Sequence, residues 1–245
     1  PDSASAQTVS ITHHYPMIGD ELPSGLKLCI FFWEETSVPI ETVAQLNSNF
    51  DGVVVAAESV KVALVNSGCQ IPAVVLPIGI DHLIAQDTKP VQSVKPETDA
   101  PFRFLHVSSA FHRKGVDVLL DAFLDAFSGD DAVELYIKTF PNPHNQVSEL
   151  LRVYSEKHKR PARVVIDEQP LDDAGMIDLY RTAHAAVLPT RGEGFNLPAA
   201  EALAMGIPVI TTGYSAQIDF CTLSTAHLVG FQFATSESHV RADDA

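Results

Sequence analysis

Three cysteines in 245 residues, Cys29, Cys69 and Cys221, are too few and too scattered for a disulfide framework. None sits in a CxxC or Cys/His metal pattern, so they are expected to be reduced thiols of a cytoplasmic protein. Positive charge is also scarce, with 16 Lys and Arg against 31 Asp and Glu and a formal net charge of −15. That balance excludes nucleic acid and anionic membranes as main partners. It leaves open a phosphate-bearing small ligand, which needs only backbone N–H groups and one or two local cations. No apolar run reaches the length of a transmembrane segment. The start, Pro1-Asp-Ser-Ala-Ser-Ala-Gln7, has neither the basic region nor the apolar centre of a signal peptide, and it lacks an initiator Met, so the chain is read as a processed or excised piece. A glycine-rich dinucleotide turn is missing as well: Ser108-Ser-Ala-Phe-His-Arg113 has no glycine where pyrophosphate would have to approach a helix, which argues against a dehydrogenase. His13 and His14 are adjacent, without the spacing of a helical metal site, and read as a solvated loop.

What is present is a soluble, globular composition, 46% hydrophobic and 19% charged, in an alternating strand and helix pattern. The pattern predicts strand Leu26 to Phe32, helix Ile40 to Asn47, strand Gly52 to Ala56, helix Ser59 to Asn66 and strand Ile71 to Leu76, closed by Pro77-Ile-Gly-Ile-Asp81. Residues 85–100, polar and containing Pro90 and Pro96, read as a linker. A second series follows, with strands at Phe102 to Val107, Val133 to Ile137, Arg163 to Ile166, Ala185 to Leu188 and Pro208 to Thr211. Helices at Val116 to Phe127, Asn145 to Lys157, Asp172 to Arg181 and Asn196 to Met205 separate them. The fold class is therefore α/β, with a doubly wound parallel sheet covered on both faces. The polar tail Ser236 to Ala245 is expected to fray.

The most informative stretch is Thr190-Arg-Gly-Glu-Gly-Phe-Asn-Leu-Pro-Ala-Ala-Glu201, between the strand Ala185 to Leu188 and a helix stopped by Gly206 and Pro208. Gly192 and Gly194 let backbone pass close to a ligand. The N–H groups of Phe195, Asn196 and Leu197 are expected at the positive end of the helix dipole, where they form an anion site. Glu193 and Glu201 are separated by seven residues and cannot serve the same anion. As acceptors they suit hydroxyl groups, so a ligand with phosphates in the middle and hydroxylated rings at both ends satisfies the set. A nucleotide sugar is such a molecule. Set against this is an ordinary surface loop with a solvated Glu201.

In Glu193-Gly-Phe-Asn-Leu-Pro-Ala-Ala-Glu201, preceded by Leu188-Pro-Thr-Arg-Gly and followed by Ala202-Leu-Ala-Met-Gly-Ile-Pro-Val-Ile210, the chain resembles the retaining glycosyltransferases of the GT-B fold. It is similar in particular to glycosyltransferase family 4, the glycosyl transferases group 1. Phe32-Trp-Glu-Glu-Thr36, Asn47-Ser-Asn-Phe-Asp-Gly52, Ser67-Gly-Cys-Gln-Ile-Pro72 and Pro77-Ile-Gly-Ile-Asp81 extend the resemblance over Leu26 to Val229. It implies that residues 1–84 are the latter part of an acceptor-side, Rossmann-like domain and residues 101–245 a nucleotide-sugar donor domain, truncated at its end. It further implies a metal-independent transferase with no cofactor beyond the nucleotide sugar, acting on a glycan, lipid or other hydroxyl acceptor.

By the same resemblance Glu193 is the catalytic carboxylate, holding sugar hydroxyls, and Glu201 holds the ribose. Gly194, Phe195, Asn196 and Leu197 line the donor. The family's phosphate-binding Arg and, five residues on, Lys fall on Ser109 and Lys114, so the Arg is replaced. Arg113 is a nearby cation whose position points it elsewhere. Lys138 lies at the carboxyl edge of the sheet, as a donor contact or a capping residue. Gln169-Pro-Leu171 falls in the nucleobase region, Asp219 reads as structural, and the strand end where many relatives carry a His reads Phe32-Trp-Glu34, so that role is vacant or filled by Glu34. The departures at Ser109 and Glu34 keep a second reading in view, a non-catalytic nucleotide-sugar-binding domain. An epimerase of the same architecture ranks last, because such relatives lack the Glu-Gly-Phe-Asn-Leu-Pro context.

Overall fold

The computed structural model describes residues 8–15, 17–19, 21–84 and 100–235. Most of the linker read at 85–100, the tail after 235 and the first seven residues lie outside them. The chain divides into two compact units, Pro1–Ile78 with Glu193–Phe195, and Gly79–Gly192 with Asn196–Ala245.

The first unit runs β1 (Val9–Thr12), β2 (Leu26–Phe31), α1 (Ile40–Asn49), β3 (Gly52–Val55), α2 (Glu58–Asn66) and β4 (Ala73–Val75). Its sheet has the order β1-β2-β3-β4, and all three pairings are parallel. β2 and β3 bury Cys29, Phe31, Val53 and Val55, while α1 contributes Val43 and Leu46 and α2 contributes Val60, Ala63 and Leu64. Those helical positions are three or four residues apart, the spacing that puts side chains on one face. Burial pushes the Cys29 thiol up to about 11, so it is an inert core group.

The second unit opens with α3 (Asp81–Ile84) and continues β5 (Phe102–Val107), α4 (Val116–Ala126), β6 (Val133–Lys138), α5 (Val147–Ser155), β7 (Arg163–Asp167), α6 (Asp173–Arg181), β8 (Ala185–Leu188), α7 (Leu197–Ala204), β9 (Val209–Thr212) and β10 (His227–Val229). The sheet order is β10-β9-β8-β5-β6-β7, entirely parallel. Six strands form it rather than the five expected, because β10 is only three residues long and carries too little pattern to be seen. From β5 the chain builds outward through β6 and β7, then returns to the other side of β5 with β8. The strand order therefore reverses between β5 and β8, and at such a switch the loops after neighbouring strands diverge and leave a crevice.

Both faces of this sheet are covered. On one, Ile177 and Tyr180 of α6 and Ala199 and Ala202 of α7 pack with Leu105, Ala186 and Val209. On the other, Leu119, Leu120, Phe123 and Leu124 of α4 pack with Leu135 and Ile137. Leu105, Leu120, Leu135 and Ile137 are fully enclosed, and each such side chain contributes about 1.5–3 kcal/mol through burial. All three cysteines are free thiols. Among the described residues no helix is long and apolar enough to cross a membrane.

Candidate functional site at the strand-order reversal

The loops that end β5 and β8 are laced together. After β5, the Ser108 hydroxyl accepts from the Ala110 amide at 3.0 Å and lies 2.8 Å from His106 Nε2. His106 is 1% exposed, and its Nδ1 lies 2.7 Å from the Val187 carbonyl on β8. A carbonyl only accepts, so Nδ1 carries the proton and Nε2 accepts from Ser108: the ring is neutral. Burial first of all, with help from the nearby Lys114 ammonium and against the Val187 bond, pushes its pKa down to about 4. His106 thus fixes the start of the loop that carries Ser109 and Lys114.

That loop passes through Ala110, held at φ 58°, into a 3-10 turn, His112–Lys114, and then Gly115 at φ 70°. A Cβ on Gly115 would stand 2.1 Å from the Pro189 carbonyl oxygen, so only glycine lets the two strand ends come this close. Thr190 Oγ1 donates to the Arg113 carbonyl at 3.0 Å, and the Arg191 amide donates to the same carbonyl at 2.7 Å. Arg113 Nη1 returns a bond to the Gly192 carbonyl at 3.1 Å. Arg191 grips Asp117 with two 2.8 Å contacts, and that guanidinium holds the Asp117 carboxyl below its ordinary range in spite of partial burial.

On the second unit's side of the break, Asn196 takes φ 77°, ψ 63° and caps α7, its Oδ1 accepting from the Ala199 amide at 3.3 Å. Pro198 in the first turn has no N–H, and the amides of Ala199 and Ala200 are used on the Asn196 carbonyl. The amide of Leu197 has no acceptor within the helix by the geometry of a helix start. Asn196 is 5% exposed, and its Nδ2 is buried with no hydrogen-bond partner. An orphaned buried donor costs roughly 1–3 kcal/mol, which a bound oxygen acceptor relieves. One turn further, the Glu201 carboxylate is enclosed, with Oε2 accepting from Tyr180 OH at 2.6 Å and Oε1 lying 2.9 Å from His82 Nε2. Next to that carboxylate, and above all through its own burial, the Tyr180 phenol is pushed well above its usual range.

Comparison with known proteins gives the family and the fold that carry this arrangement. The family described as glycosyl transferases group 1 matches residues 101–227, just over half of the chain. The chain belongs to this family. No curated protein matches it. Among solved structures, the one described as trehalose-6-phosphate from E. coli bound with UDP-2-fluoro glucose is similar, with 13% identity and TM-score 0.72, over 92% of this chain and 62% of that one. Sucrose-phosphate synthase from Thermosynechococcus elongatus shares 19% identity at TM-score 0.62, over 84% and 55%. The pneumococcal O-GlcNAc transferase GtfA, in complex with UDP and GlcNAc, shares 15% at TM-score 0.58, over 88% and 42%. These likenesses establish the GT-B glycosyltransferase fold, and the chain spans between 42% and 62% of the length of these structures.

Within this group 1 chain the expected residues are distributed as follows. Ser109, Lys114, Asn196, Leu197 and Glu201 belong to the second unit, whereas Glu193, Gly194 and Phe195 group with the first. Glu193 is 5% exposed, and a Cβ on Gly194 would meet Phe32 Cδ1 at 3.3 Å. The helix begins at Leu197 rather than Asn196, which stands outside it as the cap. Glu201 is buried, so the solvated alternative fails. Ser109 offers its carbonyl to Asn142 Nδ2 at 2.9 Å. Lys138 is turned inward: its Nζ lies 3.3 Å from Asp167 Oδ2 and donates to the carbonyls of Asp167 and Gln169. That uses three donors on the ends of β6 and β7 and orders the start of the Gln169-Pro-Leu171 loop, the capping role rather than an outward one. Tyr136 joins them, its OH 2.8 Å from Asp167 Oδ2, and is pushed up to about 12 mainly by burial.

Sequence reasoning missed His82, Tyr180, His106 and the Arg191–Asp117 clasp. Tyr180 had a signal, a tyrosine at an apolar position of α6; the rest depend on partners 74 to 119 residues away. Among the described residues no group of three or more His, Cys, Asp or Glu is placed to hold a metal.

Proposed function

We propose that the chain is the donor-binding part of a retaining glycosyltransferase of family 4, transferring a sugar from a nucleotide diphosphate to an acceptor hydroxyl in the cytoplasm. The observation that carries this is the buried carboxylate of Glu201, one helical turn inside α7 and held by Tyr180, together with the unpartnered Nδ2 of Asn196 at the cap of the same helix. A carboxylate held in this way accepts from ribose hydroxyls, while the start of α7 and Lys114 face the diphosphate. The charge that builds up on the leaving diphosphate is stabilised by Lys114, by the amides around Leu197 and by the helix dipole. Asn196 Nδ2 supplies a further donor. Glu193 holds the sugar hydroxyls and stabilises the cationic sugar, with no protein nucleophile, so the leaving phosphate assists the acceptor on the same face. The nucleotide sugar is the co-substrate, and glycan, lipid or another hydroxyl compound the acceptor. UDP in two of the similar structures makes uridine nucleotides the first donors to try.

The test is incubation with UDP-, GDP- and ADP-sugars, following nucleotide release and the anomeric configuration of the product by NMR. An α-configured product from an α-configured donor, lost at least about a hundredfold in Glu193→Ala, is expected. Inversion would contradict the reading. Tight binding without turnover would instead favour a non-catalytic nucleotide-sugar-binding domain, a second reading that Ser109 in place of the family's Arg supports.

A further inference from the structure

Both oxygens of Glu201 are engaged inside the second unit, by partners of different kinds. Tyr180 is 1% exposed, part of the α6 face of the core, and its 2.6 Å bond to Oε2 is enclosed. His82 sits on α3, a single turn of four residues, and its side chain is 31% exposed. α3 is tied to the unit by Ile80, which packs on the core cluster, and by contacts with α6. The carboxylate can only accept, so His82 Nε2 donates. Tyr180 is therefore a fixed anchor and His82 a partner on a short, solvent-facing turn.

A pair of vicinal ribose hydroxyls reaches most readily the outer oxygen of such a carboxylate, because Tyr180 encloses the other. Here that oxygen is taken by the imidazole. We propose that His82 is a built-in stand-in for the ribose, capping Glu201 Oε1 while no nucleotide is bound and giving way when a nucleoside diphosphate binds. This rests on the reading of Glu201 as the ribose carboxylate. His82 spares an enclosed carboxylate from standing half-satisfied, and Tyr180 keeps that carboxylate in place while its outer partner is exchanged. The cost falls on affinity, since every ribonucleotide must first break the His82 bond. A ligand without the two hydroxyls has nothing to gain by displacing it. His82 thus sets how strongly the site binds ribonucleotides.

The test is calorimetric titration of the 245-residue chain with UDP, GDP and ADP and with the 2′,3′-dideoxy form of each, in wild type, His82→Ala and Glu201→Gln. Exchange of one hydrogen bond predicts that the preferred ribonucleotide binds His82→Ala about five- to tenfold more tightly, while its dideoxy form is unchanged. An unchanged or weakened ribonucleotide, or equal changes for both ligands, would overturn the proposal; weakening would make His82 a direct ligand contact. If wild type does not distinguish ribo from dideoxy forms and Glu201→Gln changes nothing, the ribose reading fails and takes the proposal with it. If that discrimination holds and His82→Ala is neutral, only the proposal fails. Nitrogen NMR of the wild-type imidazole is a second readout independent of any variant: saturating nucleotide must shift Nε2 as its bond to Glu201 is lost, and an unmoved signal contradicts displacement.

Discussion

Tyr180 OH and Glu201 Oε2, 21 residues apart in sequence, meet at 2.6 Å in the interior of the second unit. The pairing joins α6 to α7 and sets where the only acidic side chain of α7 can point. Tyr180→Phe keeps the ring and removes the hydroxyl, leaving one oxygen of an enclosed carboxylate without its donor. We expect a loss of about 1.5–3 kcal/mol in urea unfolding, with little change in the urea dependence. A loss below about 0.5 kcal/mol would mean that the bond is not formed in solution.

His106 makes the fold sensitive to acid. Its folded pKa, about 4, lies below the ordinary 6.5, so between those values the unfolded chain binds the proton and the folded chain does not. Stability contributed by this group is therefore full above pH 6.5 and declines as pH falls toward 4, by about 3 kcal/mol over the window. Urea unfolding between pH 7 and 4 checks it: His106→Asn, which cannot titrate, should show a shallower decline than wild type. Parallel pH profiles would exclude His106 as the source.

Gly115→Ala tests the close approach of the two strand ends. The added Cβ would lie 2.1 Å from the Pro189 carbonyl oxygen, at φ 70°. Backbone strain and overlap together should cost at least about 2 kcal/mol, read by thermal or urea unfolding. Gly68→Ala is the internal control, because it shares a positive φ of 95° but has nothing within 4 Å, and it should cost only about 1 kcal/mol.

The Arg191–Asp117 clasp holds the segment before Glu193 against the start of α4. Both side chains are partly exposed, so solvent screens the pair, and a double-mutant cycle should give a coupling of about 1 kcal/mol. The larger effect is expected on ligand binding, because the clasp fixes the loop at residues 190–192. Arg191→Ala should weaken nucleotide binding several-fold more than it lowers the melting temperature would suggest.

The interior strands were legible because their apolar runs carry little else. Phe102–Val107 and Ala185–Leu188 fall where the pattern places them, and so do α4 to α7 to within about two residues, whereas the single turn α3 was not seen. β1 and β10 were not seen: four and three residues at sheet edges, exposed in part, lack both length and alternation. The carboxylates and the helix start were legible because their chemistry is local, packed into twelve consecutive residues. Their partners were not, since His82 reaches Glu201 across 119 residues and Lys138 spends its charge on a neighbouring strand. Whether a lysine at a strand end faces a ligand or a neighbour is decided by what the next strand carries, here Asp167.

The central claim is a nucleotide site built on Glu201 and Lys114, and the most direct measurement is calorimetric titration with UDP, GDP and ADP, repeated on Glu201→Ala and Lys114→Ala. The account predicts that one nucleotide binds and that each substitution weakens it at least about tenfold, Lys114 through the diphosphate and Glu201 through the ribose. Undiminished binding in both variants would contradict it.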